Sequence, residues 1–256
     1  MIHTTAITPE TAFARLLAIM DDLRAKCPWD KKQTMLTLRN LTIEETYELA
    51  DAILDNNMQD VKEELGDLLL HLVFYAKIGS EQGDFDITDA LNGVCDKLII
   101  RHPHIYSDTI AEDEAAVKRN WEQIKLKSGS KSVLGGVPKS LPAMVKAYRM
   151  QEKVAQVGFD WDKPEDCWAK VEEEIQEFRV EVAANDRDKM EAEMGDLLFA
   201  MINYARLHGI DAETALERTN RKFRNRFQYI EQHAPKPLDT MTLAEMDVLW
   251  NEAKKV

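Results

Sequence analysis

The sequence predicts an all-α fold of two tandem helical-bundle domains, the product of an internal duplication, and three observations carry that expectation. Apolar residues recur at helical spacing over long stretches. No stretch alternates strictly, as a half-buried strand does. An acidic signature occurs twice with one internal spacing. The first copy reads Glu44-Glu45-Thr46-Tyr47-Glu48, then Glu64-Leu65-Gly66-Asp67; the second reads Glu173-Glu174-Ile175-Gln176-Glu177, then Glu193-Met194-Gly195-Asp196. Every acid is displaced equally (173 − 44 = 129, 177 − 48 = 129, 193 − 64 = 129, 196 − 67 = 129).

The elements follow in chain order. Thr8-Pro9-Glu10 has the form of an N-cap with proline at the first helical position. Leu65, Leu68, Leu69, Leu72, Val73 and Ala76 form an apolar helical stripe, and Met194, Leu197, Leu198, Met201, Ile202 and Ala205 repeat it at the same displacement. Residues 128–142 (SGSKSVLGGVPKSLP) are rich in Gly, Ser and Pro and read as a linker. The predicted domains are therefore 1–127 and 143–256, about four helices each. The repeat reaches beyond the acids: Trp29-Asp30 returns as Trp161-Asp162, Lys97/Arg101 as Lys222/Arg226, and Trp121/Lys125 as Trp250/Lys254.

Bulk properties exclude several classes. A formal net charge of −13 over 256 residues argues against a general nucleic-acid or anionic-membrane binder, while leaving a small phosphate ligand open. Three scattered cysteines (Cys27, Cys95, Cys167) without a CxxC pair predict neither a disulfide framework nor a zinc site, and point to a reducing compartment. The N-terminal residues show no secretion signal, and the apolar stretch around Leu68–Ala76 is too short to span a bilayer. A cytoplasmic location is expected.

The acids carry the chemistry. Glu45 with Glu48, Glu64 with Asp67, Glu174 with Glu177, and Glu193 with Asp196 are i, i+3 pairs, each on one helix face. A lone ExxE is usually a solvated face. Here Asp67 and Asp196 sit within Gly-Asp-Leu-Leu, where burial is expected and a charge needs a partner. Four carboxylates aimed at one spot ask for a hard cation with oxygen ligands, Mg²⁺ with Mn²⁺ as a substitute. A di-iron site is disfavoured, since neither copy has ExxH: His71 follows Asp67 by four, but its counterpart is Ala200. Lys222 and Arg226, an i, i+4 pair, suit a phosphate clamp beside such a metal, with Asn220 and Lys189 close in sequence. There is no P-loop motif and no Ser-His-Asp or Cys-His arrangement, which leaves metal-activated water as the nucleophile. Glu173 and Glu44, the extra acids of each pair, are candidates to orient or deprotonate it; a solvated first-turn glutamate is the competing reading.

EExxE, an ExxD starting sixteen positions on (64 − 48 = 16), KxxxR and a late tryptophan resemble the MazG family of all-α nucleoside triphosphate pyrophosphohydrolases. Cys27-Pro28-Trp29-Asp30, Arg101-His102-Pro103-His104 and Gly158-Phe159-Asp160-Trp161 strengthen the likeness, which covers nearly the whole chain and extends to the two-domain form. The resemblance implies Mg²⁺-dependent hydrolysis of (d)NTPs to (d)NMP and pyrophosphate, a homodimer and broad base tolerance, with the C-terminal copy catalytic. It implies metal ligation by Glu174, Glu177, Glu193 and Asp196, phosphate contacts from Lys170, Lys189, Lys222 and Arg226, and Trp250 lining the nucleotide site. Glu45, Glu48, Glu64 and Asp67 would form a second metal site. Copy 1 departs from the pattern with Leu41, Asp60 and Cys95 where copy 2 has Lys170, Lys189 and Asn220. A metal-binding interaction module without turnover is the rival reading, and a regulatory protein partner, such as a toxin or GTPase, stays open.

Overall fold

A computed structural model of the chain describes residues 8–107 and 132–255, together with 113, 117, 120, 121 and 124. Among them are ten α-helices and no strand. The chain divides into two compact units, Met1–Thr109 and Ile110–Val256. The expected linker begins outside the described residues; from residue 132 it carries a 3-10 turn at Leu134–Gly136, and Pro142 leads into the next helix. Lys125 of the repeated Trp/Lys pair also lies outside them.

Unit 1 comprises α1 (Pro9–Lys26), α2 (Met35–Leu54), α3 (Met58–Gln82), α4 (Ile87–Arg101) and the single turn α5 (Pro103–Tyr106). The Thr8 hydroxyl accepts the Thr11 amide in a capping box, with Pro9 behind it, as expected from sequence. α2 and α3 form an antiparallel hairpin: Thr42 meets the Tyr75 hydroxyl at 2.7 Å while Glu48 lies near Glu64. α1 packs on α3, and Met20, Leu38, Val73, Phe74 and Ile78 close the core. Burying side chains of this size supplies about 1.5–3 kcal/mol each, which holds the three helices together.

Unit 2 repeats the plan with α6 (Ala143–Ala155), α7 (Pro164–Ala184), α8 (Arg187–Leu207), α9 (Ala212–His233) and α10 (Leu243–Ala253). α7 and α8 form the second hairpin, closed by buried Val171 and Cys167 and by the Trp168–Tyr204 ring contact at 4.9 Å. Both hairpins turn on an asparagine in the left-handed region, Asn56 (φ 53) and Asn185 (φ 54), which are 129 positions apart (185 − 56). Asparagine tolerates that conformation better than other non-glycine residues. The next residue caps the following helix in each copy: Asn57 accepts from the Gln59 and Asp60 amides, Asp186 from the Lys189 amide.

The apolar stripe divides in the same way in both copies. Val73 and Ile202 are buried, whereas Leu65, Leu69 and Leu72, and their counterparts Met194, Leu198 and Met201, stay exposed. Each hairpin thus carries an uncovered apolar face. No helix among the described residues is long and apolar enough to cross a membrane.

Candidate active site

Each hairpin gathers three carboxylates at one point. In unit 2, α7 contributes Glu174 and Glu177, α8 contributes Glu193, and their oxygens lie within 4.8 Å of one another. In unit 1, Glu45 and Glu48 of α2 meet Glu64 of α3 in the same way. The antiparallel hairpin is the cause: helical spacing stacks two acids on one helix, and the returning helix brings the third opposite them.

The electrostatics are those of crowded anions. Burial, then Glu174 and Glu193, push the Glu177 carboxyl up, partly offset by Lys170. In unit 1 burial, then Asp67 and Glu48, raise Glu45; burial, then Glu48, Glu45 and Asp67, raise Glu64. Glu174 is 5% exposed, and Glu64 Oε2 is buried without a hydrogen-bond partner. All-oxygen donors of like charge, partly out of water, fit a hard divalent cation. Neither group contains a histidine or cysteine.

Asp67 and Asp196 depart from the expected burial. Both are exposed and lie outside the groups of three. In each run the first leucine, Leu68 or Leu197, is half-buried and the second, Leu69 or Leu198, is exposed, so a Gly-Asp-Leu-Leu run does not imply an interior here. Asp67 is still near enough to Glu45 and Glu64 to raise both.

The cations divide into two groups. Lys170 sits at the acids, 2.9 Å from Glu173 and 2.8 Å from Glu174, and these carboxylates raise its pKa. Lys189 does not reach them: it pairs with Asp186 at 3.5 Å and Glu181 at 3.8 Å, at the hairpin's turn. The Arg226 guanidinium lies over the Trp250 ring at 5.4 Å, and Phe223 packs 5.2 Å from the same ring. Lys222, one turn before Arg226, is exposed, and Asn220 bonds Glu217 at 3.3 Å. Among the described residues no hydrogen bond or ion pair joins Lys222 or Arg226 to the acids. Glu44 and Glu173 are exposed at the hairpin edge.

One feature of unit 2 escapes motif reading. A cavity of about 390 Å³ opens between α6, α8 and the Gly158–Trp161 turn, lined by Gln151, Phe199, Asn203 and Arg206 among others. The signal that could have found it is a break in the repeat: Asn203 stands where copy 1 has Phe74 (203 − 129 = 74).

Comparison with known proteins bears on these residues. The model of the MazG nucleotide pyrophosphohydrolase domain matches residues 33–106 and again 162–230. A nucleoside triphosphate pyrophosphohydrolase of Escherichia coli (strain K12) is 44% identical over 253 residues, covering 94% of this chain and 96% of its own. The nucleoside triphosphate pyrophosphohydrolase/pyrophosphatase MazG of Thermotoga maritima is 40% identical over 250 residues, 94% of this chain and 95% of its own. An uncharacterised protein of Bacillus subtilis, YabN, is 46% identical over 252 residues, covering 95% of this chain and 52% of its own length.

Proposed function

The chain belongs to the MazG nucleotide pyrophosphohydrolase family, and from that premise we propose that its C-terminal copy hydrolyses (d)NTPs to (d)NMP and pyrophosphate in a Mg²⁺-dependent reaction, with Mn²⁺ as a substitute. It is an enzyme of the nucleoside triphosphate pyrophosphohydrolase type, as are the relatives that match it end to end. The observation that carries the reading is the convergence of Glu174, Glu177 and Glu193 beside Lys170 on one hairpin.

Glu174, Glu177 and Glu193 would hold the metal, with Asp196 completing the set from the exposed edge of α8. Bound there, the ion supplies charge neutralisation for the triphosphate and a more acidic water. The protein's own groups do the rest. Lys170 pairs with Glu173 and Glu174 and fixes their orientation. Glu173 accepts the proton of the attacking water. That water adds to the α-phosphorus, the bond from the α-phosphorus to the bridging oxygen breaks, and pyrophosphate leaves. Lys222 and Arg226 take the β- and γ-phosphates, Asn220 adds a donor, and Trp250 borders the nucleotide with Arg226 stacked on it. Lys189 must leave Asp186 and Glu181 to join them.

The enzyme acts as a homodimer, the second subunit covering the exposed apolar residues of α3, α4, α8 and α9, including Leu69, Leu98, Leu198 and Phe227. The enzyme works in the cytoplasm, the compartment expected from its three scattered cysteines, Cys27, Cys95 and Cys167. A panel of nucleotides assayed for pyrophosphate release, with and without EDTA, tests the reading. Chromatography should show NMP and pyrophosphate; NDP and orthophosphate as main products refute it. A monomeric mass by light scattering, with full activity, refutes the dimer.

A further inference from the structure

The cavity of unit 2 is lined by none of the converging acids, yet it lies on the same helix. Its walls are aromatic: Phe199 comes from α8, and Phe159 and Trp161 from the turn that Gly158 makes possible with φ +89. Phe159 is 79% exposed and Trp161 40%, large rings left uncovered at the cavity's lip. Its volume of about 390 Å³ falls in the range of small-molecule pockets.

Two amides set its polarity. Gln151, 4% exposed, donates from Nε2 to the Phe199 carbonyl at 2.8 Å. A carbonyl only accepts, so the amide's orientation is fixed and Oε1 is left as an acceptor, buried with no partner. Also on the cavity wall, Asn203 Oδ1 accepts from Arg206 Nε and Nη2 at 3.0 and 2.8 Å, which leaves Asn203 Nδ2 to donate. Arg206 is itself held by Asp160. The duplication supplies a control. At the equivalent α3 position copy 1 has Phe74, 2% exposed within the core, where copy 2 has an amide beside open volume.

We infer that this cavity receives the base of the nucleotide, stacked against Phe159, Trp161 and Phe199 and read by the Gln151 acceptor and the Asn203 donor. The inference rests on the proposed hydrolysis, since it seats the base of that substrate. Asn203 follows Asp196 by seven residues, about 10 Å along the helix, the order of separation that a ribose sets between a base and its α-phosphate. An adjacent N–H donor and ring or carbonyl acceptor is common to adenine, cytosine, guanine and uracil, so the pair orients any of them and rejects none. Copy 1, with Phe74, lacks the seat.

The test uses the full chain and phosphate-free nucleosides (adenosine, guanosine, cytidine, uridine), with binding read by saturation-transfer NMR. Wild type binds, and Phe159→Ala and Asn203→Phe each weaken binding about tenfold. In hydrolysis both raise KM by about the same factor and leave kcat nearly unchanged. Asn203→Phe installs the residue that copy 1 already carries; should it fail to fold by circular dichroism, Phe159→Ala, on the surface, decides alone. Unchanged nucleoside binding and unchanged KM in Phe159→Ala overturn the inference while leaving hydrolysis intact. If wild type releases no pyrophosphate, the hydrolysis reading fails by itself. The nucleoside titration then still judges the cavity, and wild type that binds no nucleoside overturns it.

Discussion

Asn56 and Asn185 turn the same corner, Asn57 and Asp186 cap the next helix, and three glutamates converge beyond it in both halves of the molecule. The copies part at the second ring of residues around those acids. Unit 2 sets Lys170 against Glu174 where unit 1 has Leu41, and it opens a cavity at Asn203 where unit 1 packs Phe74. Their arginines differ too. In unit 1 Arg24 of α1 ties the Asp30 and Gln33 carbonyls to Glu81 of α3, whereas in unit 2 Arg206 of α8 holds Asp160. A duplicated hairpin can therefore keep three converging carboxylates in both copies while the residues around them diverge. The carboxylate triad is a property of the hairpin, and the proposed assignment of substrate to one copy rests on what surrounds it.

The largest effect should come from the acids themselves. Glu193→Gln or Asp196→Asn should lower kcat/KM for any NTP by about a hundredfold or more, while Glu64→Gln or Asp67→Asn should stay within about threefold. Steady-state kinetics of the four variants decides; equal losses in both copies, with the fold intact, would break the asymmetry and count both sites as catalytic.

Swapping copy-1 residues into copy 2 comes next. Lys170→Leu removes a partner from Glu173 and Glu174, and Lys189→Asp replaces by an acid the cation that pairs with Asp186 and Glu181 and that the proposed reading brings to the phosphates. Losing a charge-assisted hydrogen bond costs about 1.5–3 kcal/mol, or roughly one to two decades of rate. Lys170→Leu should be the more damaging, because Lys170 already sits at the acids and Lys189 is engaged at the turn. The reverse order in kcat/KM would mean that substrate binding rearranges the turn more than it uses the existing ion pairs.

A smaller effect separates metal from proton. Glu45, Glu64 and Glu177 are all pushed above their ordinary 4.5. Above 4.5 and up to each raised value the folded chain binds more protons than the unfolded one, so metal-free stability falls as pH rises through that window. Saturating Mg²⁺ should reverse the slope, since the carboxylates must ionise to ligate it. Melting temperatures in EDTA and in Mg²⁺ across mildly acidic to neutral pH measure this, and Glu177→Gln should flatten unit 2's share alone.

The smallest effect is local to α10. Lys236 and the Thr242 amide and hydroxyl hold the Glu245 carboxyl down to about 2. Its folded value lies below 4.5, so the stabilisation is complete above 4.5 and is lost as pH falls toward 2. Glu245→Gln should lower the melting temperature by about a degree at neutral pH and leave it unchanged in strong acid. A shift that persists in acid would assign the loss to packing instead of the cap.

The convergence of the acids was legible from spacing. An i, i+3 glutamate pair must share a helix face, and a repeat displaced by 129 at every acid must copy the hairpin that joins the two faces. Thr8-Pro9 had to cap, and leucines at helical intervals had to make a stripe. Periodicity, however, says that a face is apolar, not what covers it. Leu65, Leu69 and Leu72 carry the pattern of a core and stand exposed, and for that reason Asp67 and Asp196, read as buried from their leucine neighbours, lie at the surface. Sequence proximity likewise placed Lys189 beside Glu193, whereas the capped turn draws its ammonium to Asp186 and Glu181. The cavity was beyond any local pattern. It depends on Gln151, Asn203 and the Phe159 turn arriving from three separate segments, and such volume exists only once the helices have packed. Local covalent geometry determined the helices, the caps and the pairing of acids; which faces stay open, and where a ligand can sit, was decided by how the side chains of distant segments fill space.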